Sequence, residues 1–367
     1  MQLPDLRNFD LVGKRVLLRV DFDVPLIEQT TEGRQHRVVG DQTRIEKALA
    51  TINYLLSVDT KIILLSHLGR PEGKVVPELS LAPVAKKLQE LLEKSNSKNQ
   101  IAKIHIKNQK FGGFKIDENI ILLENLRFEA GEEKNDVAFS KNLADLGAFC
   151  VNDAFAASHR EHASIVGLPK ILPHAAGLGL LREVEVLSGV LENPKRPVVV
   201  ILGGTKEDKL EDASGLLKFA DYVLLGGKLP SLITNYQLLI TNPKTIIGEL
   251  NENGKDITLE TIEKFCEIIK KAGTVVWAGP MGKYESEMGN GPPAGEAGKW
   301  EMGTKEIGRA VVESGAFTVI GGGDTEAALT KFGMVEKIDF VSSGGGAMLG
   351  FLANGDLPGL AALRHKL

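Results

Sequence analysis

A chain of 367 residues, 43% of them hydrophobic, is long enough to form two domains that each bury a core of their own. A formal net charge of -4 with only 5% aromatic residues leaves neither the basic surface nor the stacking side chains that nucleic acid requires. No apolar run reaches the length of a membrane span, Met1 to Asp5 shows no secretion signal, and Cys150 and Cys266 have no CxxC or metal-ligand spacing, so a cytosolic protein with reduced, buried thiols is expected.

Along the chain, short Val/Ile/Leu runs alternate with longer amphipathic segments. The runs at 15–20, 62–65, 120–123 and 149–151, then at 198–202, 222–225, 274–277 and 317–320, are apolar on both faces, which is the pattern of parallel strands covered on both sides. Between them, apolar positions three and four apart predict helices at 43–56, 81–94, 136–146, 259–271, 305–314 and 325–332. The alternation predicts an α/β fold of two doubly wound, Rossmann-like parallel sheets. A proline-flanked linker carries one long helix around 181–191, and two segments, 93–99 and 289–298, read as mobile surface loops.

In such sheets ligands sit beyond the carboxyl ends of the strands, so the residues that follow each run are the ones to inspect. In the first half these are basic: Arg19 to Asp23, Ser66 to Pro71, Glu124 to Arg127, and Asn152-Asp153 running on to His159-Arg160, joined by Arg44 at a helix start. In the second half they are glycines, at 203–204, 226–227, 279–282, 321–323 and 344–346. Guanidinium forks suit a small, highly charged acid, whereas glycine turns let backbone N–H groups close around a polyphosphate; two unlike phosphate-bearing ligands are expected.

Gly321-Gly322-Gly323-Asp324-Thr325 lies between a strand and a helix, so its N–H groups face a phosphate, and Asp324 either holds Mg²⁺ there or joins Thr325 in capping the helix. Other motifs are weaker. Residues 289–294 fit a dinucleotide fingerprint but follow no strand, no Walker sequence exists, and His159 and His162 lack a third metal ligand.

Taken in order, RVDFDVP (19–25), DQTRI (41–45), SHLGRP (66–71), LLENLRF (122–128), GEEKND (131–136), VNDAFAASHREHAS (151–164), ILGG (201–204), WAGPMG (277–282), GGGDT (321–325), SSGGGA (342–347) and LPGLAAL (357–363) resemble phosphoglycerate kinase over nearly the whole chain. The resemblance implies a monomeric, hinge-bending, two-lobed glycolytic enzyme that passes a phosphoryl group from 1,3-bisphosphoglycerate to ADP, with Mg²⁺. It implies a triose domain at 1–172, a connecting helix and linker at 173–196, a nucleotide domain at 197–350 and a C-terminal segment, 351–367, that returns to the first domain. Asp21, Phe22, Asp23, Arg44, His67, Leu68, Gly69, Arg70, Arg127, His159 and Arg160 take the triose-binding positions. Gly204, Lys206, Lys209, Gly227, Pro280, Glu285, Gly322, Gly323, Asp324 and Thr325 take those of the nucleotide, with Glu285 on the ribose hydroxyls. Arg44, Lys206 or Lys209, and the helix start at Gly345 and Gly346 are the implied groups on the transferring phosphate.

The chain departs from the family pattern at Asp23, where Asn is usual, at Ala278 for Asn and at Met348 for Ser. Lys206 and Lys209 stand three apart instead of four, the usual Gly-Gly-Gly-Met-Ala loop reads GGKLP at 226–230, and several dozen family residues are missing between 234 and 255. These changes motivate a rival reading, an impaired relative that senses a phosphorylated triose; a dinucleotide-dependent oxidoreductase is the more distant alternative.

Overall fold

The computed structural model describes residues 1–31, 34–92, 102–106, 111–283 and 301–365. The chain divides into two compact units, Met1–Val184 with Leu357–Leu367, and Glu185–Asp356. The division falls inside the helix Leu178–Glu192, within the segment expected as the linker. The loops expected at 93–99 and 289–298 both lie outside the described residues.

The first unit holds β1 (Arg15–Arg19), β2 (Leu26–Thr31), β3 (Arg34–Val39), β4 (Lys61–Leu65), β5 (Ala102–Ile106), β6 (Phe111–Lys115), β7 (Ile120–Leu123), β8 (Phe149–Asn152) and β9 (His174–Ala176). Its seven-stranded sheet runs β5-β6-β7-β4-β1-β8-β9. The centre is parallel, with Val16 opposite Ile62 on one side and Phe149 on the other. Alternate residues feed opposite layers. Val16, Leu18, Ile62 and Leu64 pack with Ile45 and Ile52 of the helix Thr43–Ser57, whereas Leu17, Ile63 and Leu65 pack with Phe139 and Leu143 of the helix Val137–Ala144. Asp136 starts the second of these by accepting the Phe139 N–H at 2.7 Å.

The doubly wound parallel sheet is present as expected, with an added edge in which β5 pairs antiparallel with β6 and β6 with β7. A Cβ at Gly113 of β6 would stand 2.6 Å from the Leu122 carbonyl, so glycine permits this close approach. A separate antiparallel hairpin, β2 with β3, is also absent from the sequence reading, because strands such as LIEQTT carry no continuous apolar run.

The second unit holds β10 (Val198–Leu202), β11 (Tyr222–Leu225), β12 (Thr245–Ile247), β13 (Thr274–Ala278), β14 (Phe317–Gly321) and β15 (Phe340–Ser342), all parallel in the order β12-β11-β10-β13-β14-β15. Every residue of β10 is buried, as a strand covered on both faces requires. One layer of its core joins Val199, Ile201, Trp277 and Ile320 to Phe265 and Ile307 from flanking helices.

The last helix, Pro358–Leu363, belongs to the first unit. Gly359 donates to the Ser158 carbonyl at 2.9 Å, and a Cβ there would lie 2.8 Å from Ile165, so the helix docks by its glycine. Both cysteines are free; Cys150 is buried in β8, but Cys266 is only half-buried, against expectation. Among the described residues no helix is long and apolar enough to cross a membrane.

Candidate active site

The basic loops of the first unit follow β1, β4, β7 and β8, which are four adjacent strands of one sheet pointing the same way. Adjacency turns four separate stretches of sequence into one surface. At its centre is Arg19, only 1% exposed, which donates from Nε to Ser164 Oγ at 2.9 Å, from Nη1 to the Val20 carbonyl, and from Nη2 towards His67 Nδ1 at 3.1 Å. Fully buried Glu132 is the counter-charge, and it accepts the Ser164 N–H at 3.0 Å and the Ser164 hydroxyl at 2.5 Å. Burial raises the Glu132 pKa, and Arg19 is the chief opposing influence.

Around this network stand the residues expected to hold the acid. Arg44 donates to buried Asp21 at 2.7 Å; burial raises the Asp21 pKa, and Arg44 is the strongest influence the other way. Arg127 is buried and donates from Nη1 to the Gly69 carbonyl at 2.7 Å. Its Nε lies 3.2 Å from Glu133, near enough for an ion pair but not aligned for a hydrogen bond. Asn125 bonds the carbonyls of Leu68 at 2.7 Å and Leu79 at 3.0 Å, which holds the loop after β4 in shape. His159 and Arg160 are half-buried. Burial and then Arg160 depress the pKa of Arg127, and burial followed by Arg127, Arg19, Arg160 and His159 pushes His162 down to about 3. Arg70 is exposed, outside this buried network.

Two expected binding residues are core side chains. Phe22 and Leu68 are 0% and 3% exposed, so they offer a ligand only backbone. Among the described residues Asp23 forms no ion pair with an arginine; its Oδ1 accepts the Gly69 N–H at 2.8 Å and its Oδ2 lies 3.9 Å from His67 Nε2. Glu132, Ser164 and Asn125 lie within the quoted motifs, but only their burial and hydrogen bonds in the folded unit reveal that they support the site.

In the second unit the turns after β10, β11, β13 and β14 are stitched to one another. Gly204 donates to the Pro280 carbonyl at 2.7 Å, Gly227 to Met281 at 3.0 Å, and Lys228 to Gly204 at 2.8 Å. A Cβ at Gly227, whose φ is +59°, would stand 2.5 Å from the Gly204 nitrogen. Thr325 is fully buried, its hydroxyl accepting the Gly279 N–H at 2.7 Å, so its side chain shapes the turns. The helix Gly323–Lys331 has Gly322 as its N-cap with no side-chain cap, which answers the capping reading of Asp324; that residue is exposed at the helix mouth. Among the described residues no three His, Cys, Asp or Glu side chains converge on a metal position. A lone carboxylate still suits Mg²⁺, which completes its shell with phosphate and water. Gly345 and Gly346 open the helix Gly345–Asn354. Lys206 is exposed before the helix Asp208–Leu216, and Glu285 lies outside the described residues.

The family model described as phosphoglycerate kinase matches residues 6–246 and 234–355. The chain belongs to the phosphoglycerate kinase family. The phosphoglycerate kinase of Thermosipho africanus is 38% identical over 424 aligned positions, covering 100% of this chain and 99% of the relative. That of Clostridium kluyveri is 36% identical over 416 positions, 98% of each chain. Among solved structures, phosphoglycerate kinase from Coxiella burnetii aligns with a TM-score of 0.73 at 30% identity over 99% of both chains. The enzyme from Pyrococcus horikoshii OT3 aligns at 0.77 and 28%, covering 99% of this chain and 98% of its own. The two stretches matched by the phosphoglycerate kinase model meet at 234–246, where the short helix Gln237–Thr241 and edge strand β12 stand.

Proposed function

We propose that this chain catalyses reversible phosphoryl transfer from 1,3-bisphosphoglycerate to ADP, giving 3-phosphoglycerate and ATP. The observation that carries this is the gathering of Arg19, Arg127, Arg160 and His67 at and beyond the ends of adjacent strands, with Arg44 at the start of the helix Thr43–Ser57, close enough to influence one another electrostatically. Such a surface suits an acid with several negative charges, whereas the glycine turns of the second unit offer backbone N–H groups at the starts of the helices Gly323–Lys331 and Gly345–Asn354.

An acyl phosphate is already activated, so the protein supplies alignment, exclusion of water and positive charge, with no covalent nucleophile. Asp21 fixes one end of the Arg44 guanidinium, leaving its other N–H groups for the transferring phosphate. Asp23, His67, Arg70, Arg127, His159 and Arg160 orient the three-carbon acid, using the backbone at Phe22, Leu68 and Gly69. Gly204, Gly227, Pro280, Gly322, Gly323 and Glu285 take the nucleotide, with Gly345 and Gly346 facing the transferring group. Asp324 would hold Mg²⁺ together with the nucleotide, and the cation would supply positive charge to the phosphate oxygens. The reading is of a monomer in the cytoplasm, consistent with two free cysteines, whose units close when both ligands bind.

A coupled assay of ATP formation from 1,3-bisphosphoglycerate tests this. Turnover is expected in the wild type, with a loss of roughly a hundredfold or more in Arg44→Ala at unchanged thermal stability. No turnover, or a variant as fast as wild type, overturns the assignment.

A further inference from the structure

The first unit contains a cavity of about 770 Å³, a size that accommodates small organic molecules. Separate stretches of chain line it. Leu26 comes from the start of β2, Phe111 from the start of β6, and Val75 and Pro77 from the loop that follows β4. The helix Ala82–Leu92 adds Pro83, and the turn Leu126–Phe128 adds Leu126 and Phe128, with Asn125 as its cap. The lining is thus mainly apolar, and it includes two aromatic rings.

Its charges are unbalanced. Three carboxylates, on Glu78, Glu124 and Glu129, line the cavity against one guanidinium, on Arg37. Glu124 is engaged by the fold, accepting the Ser80 hydroxyl at 2.7 Å and the N–H groups of Leu81 at 2.8 Å and Asn125 at 2.9 Å. Arg37 is engaged as well, since it donates to the Glu78 carbonyl at 2.8 Å and lies 4.0 Å from Glu28. Glu78 and Glu129 are exposed, and their carboxylates make no hydrogen bond or ion pair among the described residues. Two uncommitted carboxylates beside Phe111 and Phe128 suit an organic cation with a flat apolar body, which the rings and the acids can hold together.

The same turn reaches the candidate active site. Arg127 stands between Leu126 and Phe128 but does not line the cavity; it donates to the Gly69 carbonyl at 2.7 Å. Asn125 Oδ1 accepts the Arg127 N–H at 3.1 Å, while its Nδ2 donates to the Leu68 carbonyl at 2.7 Å. A molecule packed against Asn125, Leu126 and Phe128 therefore touches the turn that sets both Arg127 and the backbone at Leu68 and Gly69.

We propose that this cavity is an effector site for a small aromatic amine, and that its occupancy tightens binding of the phosphorylated three-carbon acid. The second half rests on the proposed kinase reading, which supplies the identity of the acid. A filled cavity restrains the turn that carries Arg127, so less order is lost when the acid binds, and the ammonium adds positive charge to the unit that receives an anion. By linkage the acid must tighten the amine by the same factor.

Calorimetric titration of the full chain with tryptamine, and with indole-3-acetate as an anion built on the same ring system, tests the proposal. Tryptamine is expected to bind the wild type and to bind the double variant Glu78→Gln, Glu129→Gln about tenfold or more weakly. Both side chains are exposed and unbonded, so the variant keeps its fold and its affinity for 3-phosphoglycerate alone. Indole-3-acetate is expected to show the reverse preference, binding the variant better than the wild type. In saturating tryptamine, 3-phosphoglycerate should bind the wild type about fivefold or more tightly, and saturating 3-phosphoglycerate should tighten tryptamine equally. The proposal is overturned by absence of tryptamine binding, by equal binding to the variant, by wild-type preference for the anion, or by a 3-phosphoglycerate affinity that tryptamine leaves unchanged or weakens. Wild-type protein that takes tryptamine as expected but binds no 3-phosphoglycerate, with or without the amine, would instead overturn the kinase reading.

Discussion

Nη2 of Arg19 lies 3.1 Å from Nδ1 of His67, inside the first unit where both residues are buried. A guanidinium has no acceptor, so it must donate, and the imidazole nitrogen that receives it carries no proton. The His67 proton is therefore on Nε2, the nitrogen 3.9 Å from Asp23 Oδ2. Burial, followed by Arg19 and Arg127, holds the His67 pKa well below its ordinary value, so the ring stays neutral. Nitrogen-15 NMR should find His67 as the Nε2–H tautomer, without titration between about pH 6 and 8. A protonated Nδ1 would reverse the hydrogen bond described here.

His162 and Asp153 should move stability in opposite directions as pH falls. The folded state holds the His162 pKa at about 3, chiefly by burial and then by Arg127 and Arg19, whereas the unfolded chain takes up that proton near about 6.5. Stability from this group therefore declines as pH drops below about 6.5, by at most about 1.4 kcal/mol per pH unit. Asp153, which accepts the Leu180 N–H at 2.8 Å, is raised to about 6, mainly by burial and further by Glu183. Its folded form keeps a proton that the unfolded chain has released, so stability is gained as pH falls through about 6. In denaturant titrations the difference between wild type and His162→Gln should fall from neutral pH to pH ~5, and that between wild type and Asp153→Asn should rise. Parallel changes in both differences would contradict the assignment.

Asp23→Asn should tighten binding of 3-phosphoglycerate at neutral pH. The Asn carbonyl can still accept the Gly69 N–H, so the loop keeps its clasp, while a negative charge beside an anionic ligand is removed. At about 4 Å the repulsion is on the order of 1 kcal/mol in water, about fivefold in affinity, and larger where solvent is excluded. Calorimetric titration checks this; weaker binding in the variant would show that the carboxylate assists the ligand.

Gly227→Ala should disrupt the second unit. The new methyl group would meet the Gly204 nitrogen at 2.5 Å and the Pro280 carbonyl at 3.0 Å, at a φ that disfavours alanine. A loss of about 1–3 kcal/mol and weakened ADP binding are expected in denaturant melts and nucleotide titrations. An unchanged nucleotide affinity would mean that this turn does not shape the site.

The strands that carry the candidate site were legible because each is apolar on both faces and ends abruptly in polar residues or glycine. β1, β4, β7 and β8 therefore emerged with their loops, and β10, β11, β13 and β14 likewise. The hairpin of β2 and β3 did not, since its polar strands draw their order from pairing with each other, and nor did the antiparallel β5 and β6. Phe22 and Leu68 fell within matching motifs, but nothing local reveals that their side chains turn into the core.

By itself the sequence determined which chemical groups end each strand, guanidinium and imidazole in one half and glycine in the other, because strand periodicity and turn chemistry are local. Tertiary structure decided what those groups face. Arg19 meets His67 across 48 residues of chain and Lys209 meets Ala278 across 69, encounters set by the order of strands in the sheets. A hydrogen bond needs its partner within about 3 Å, and only a folded backbone fixes that distance for groups so far apart along the chain.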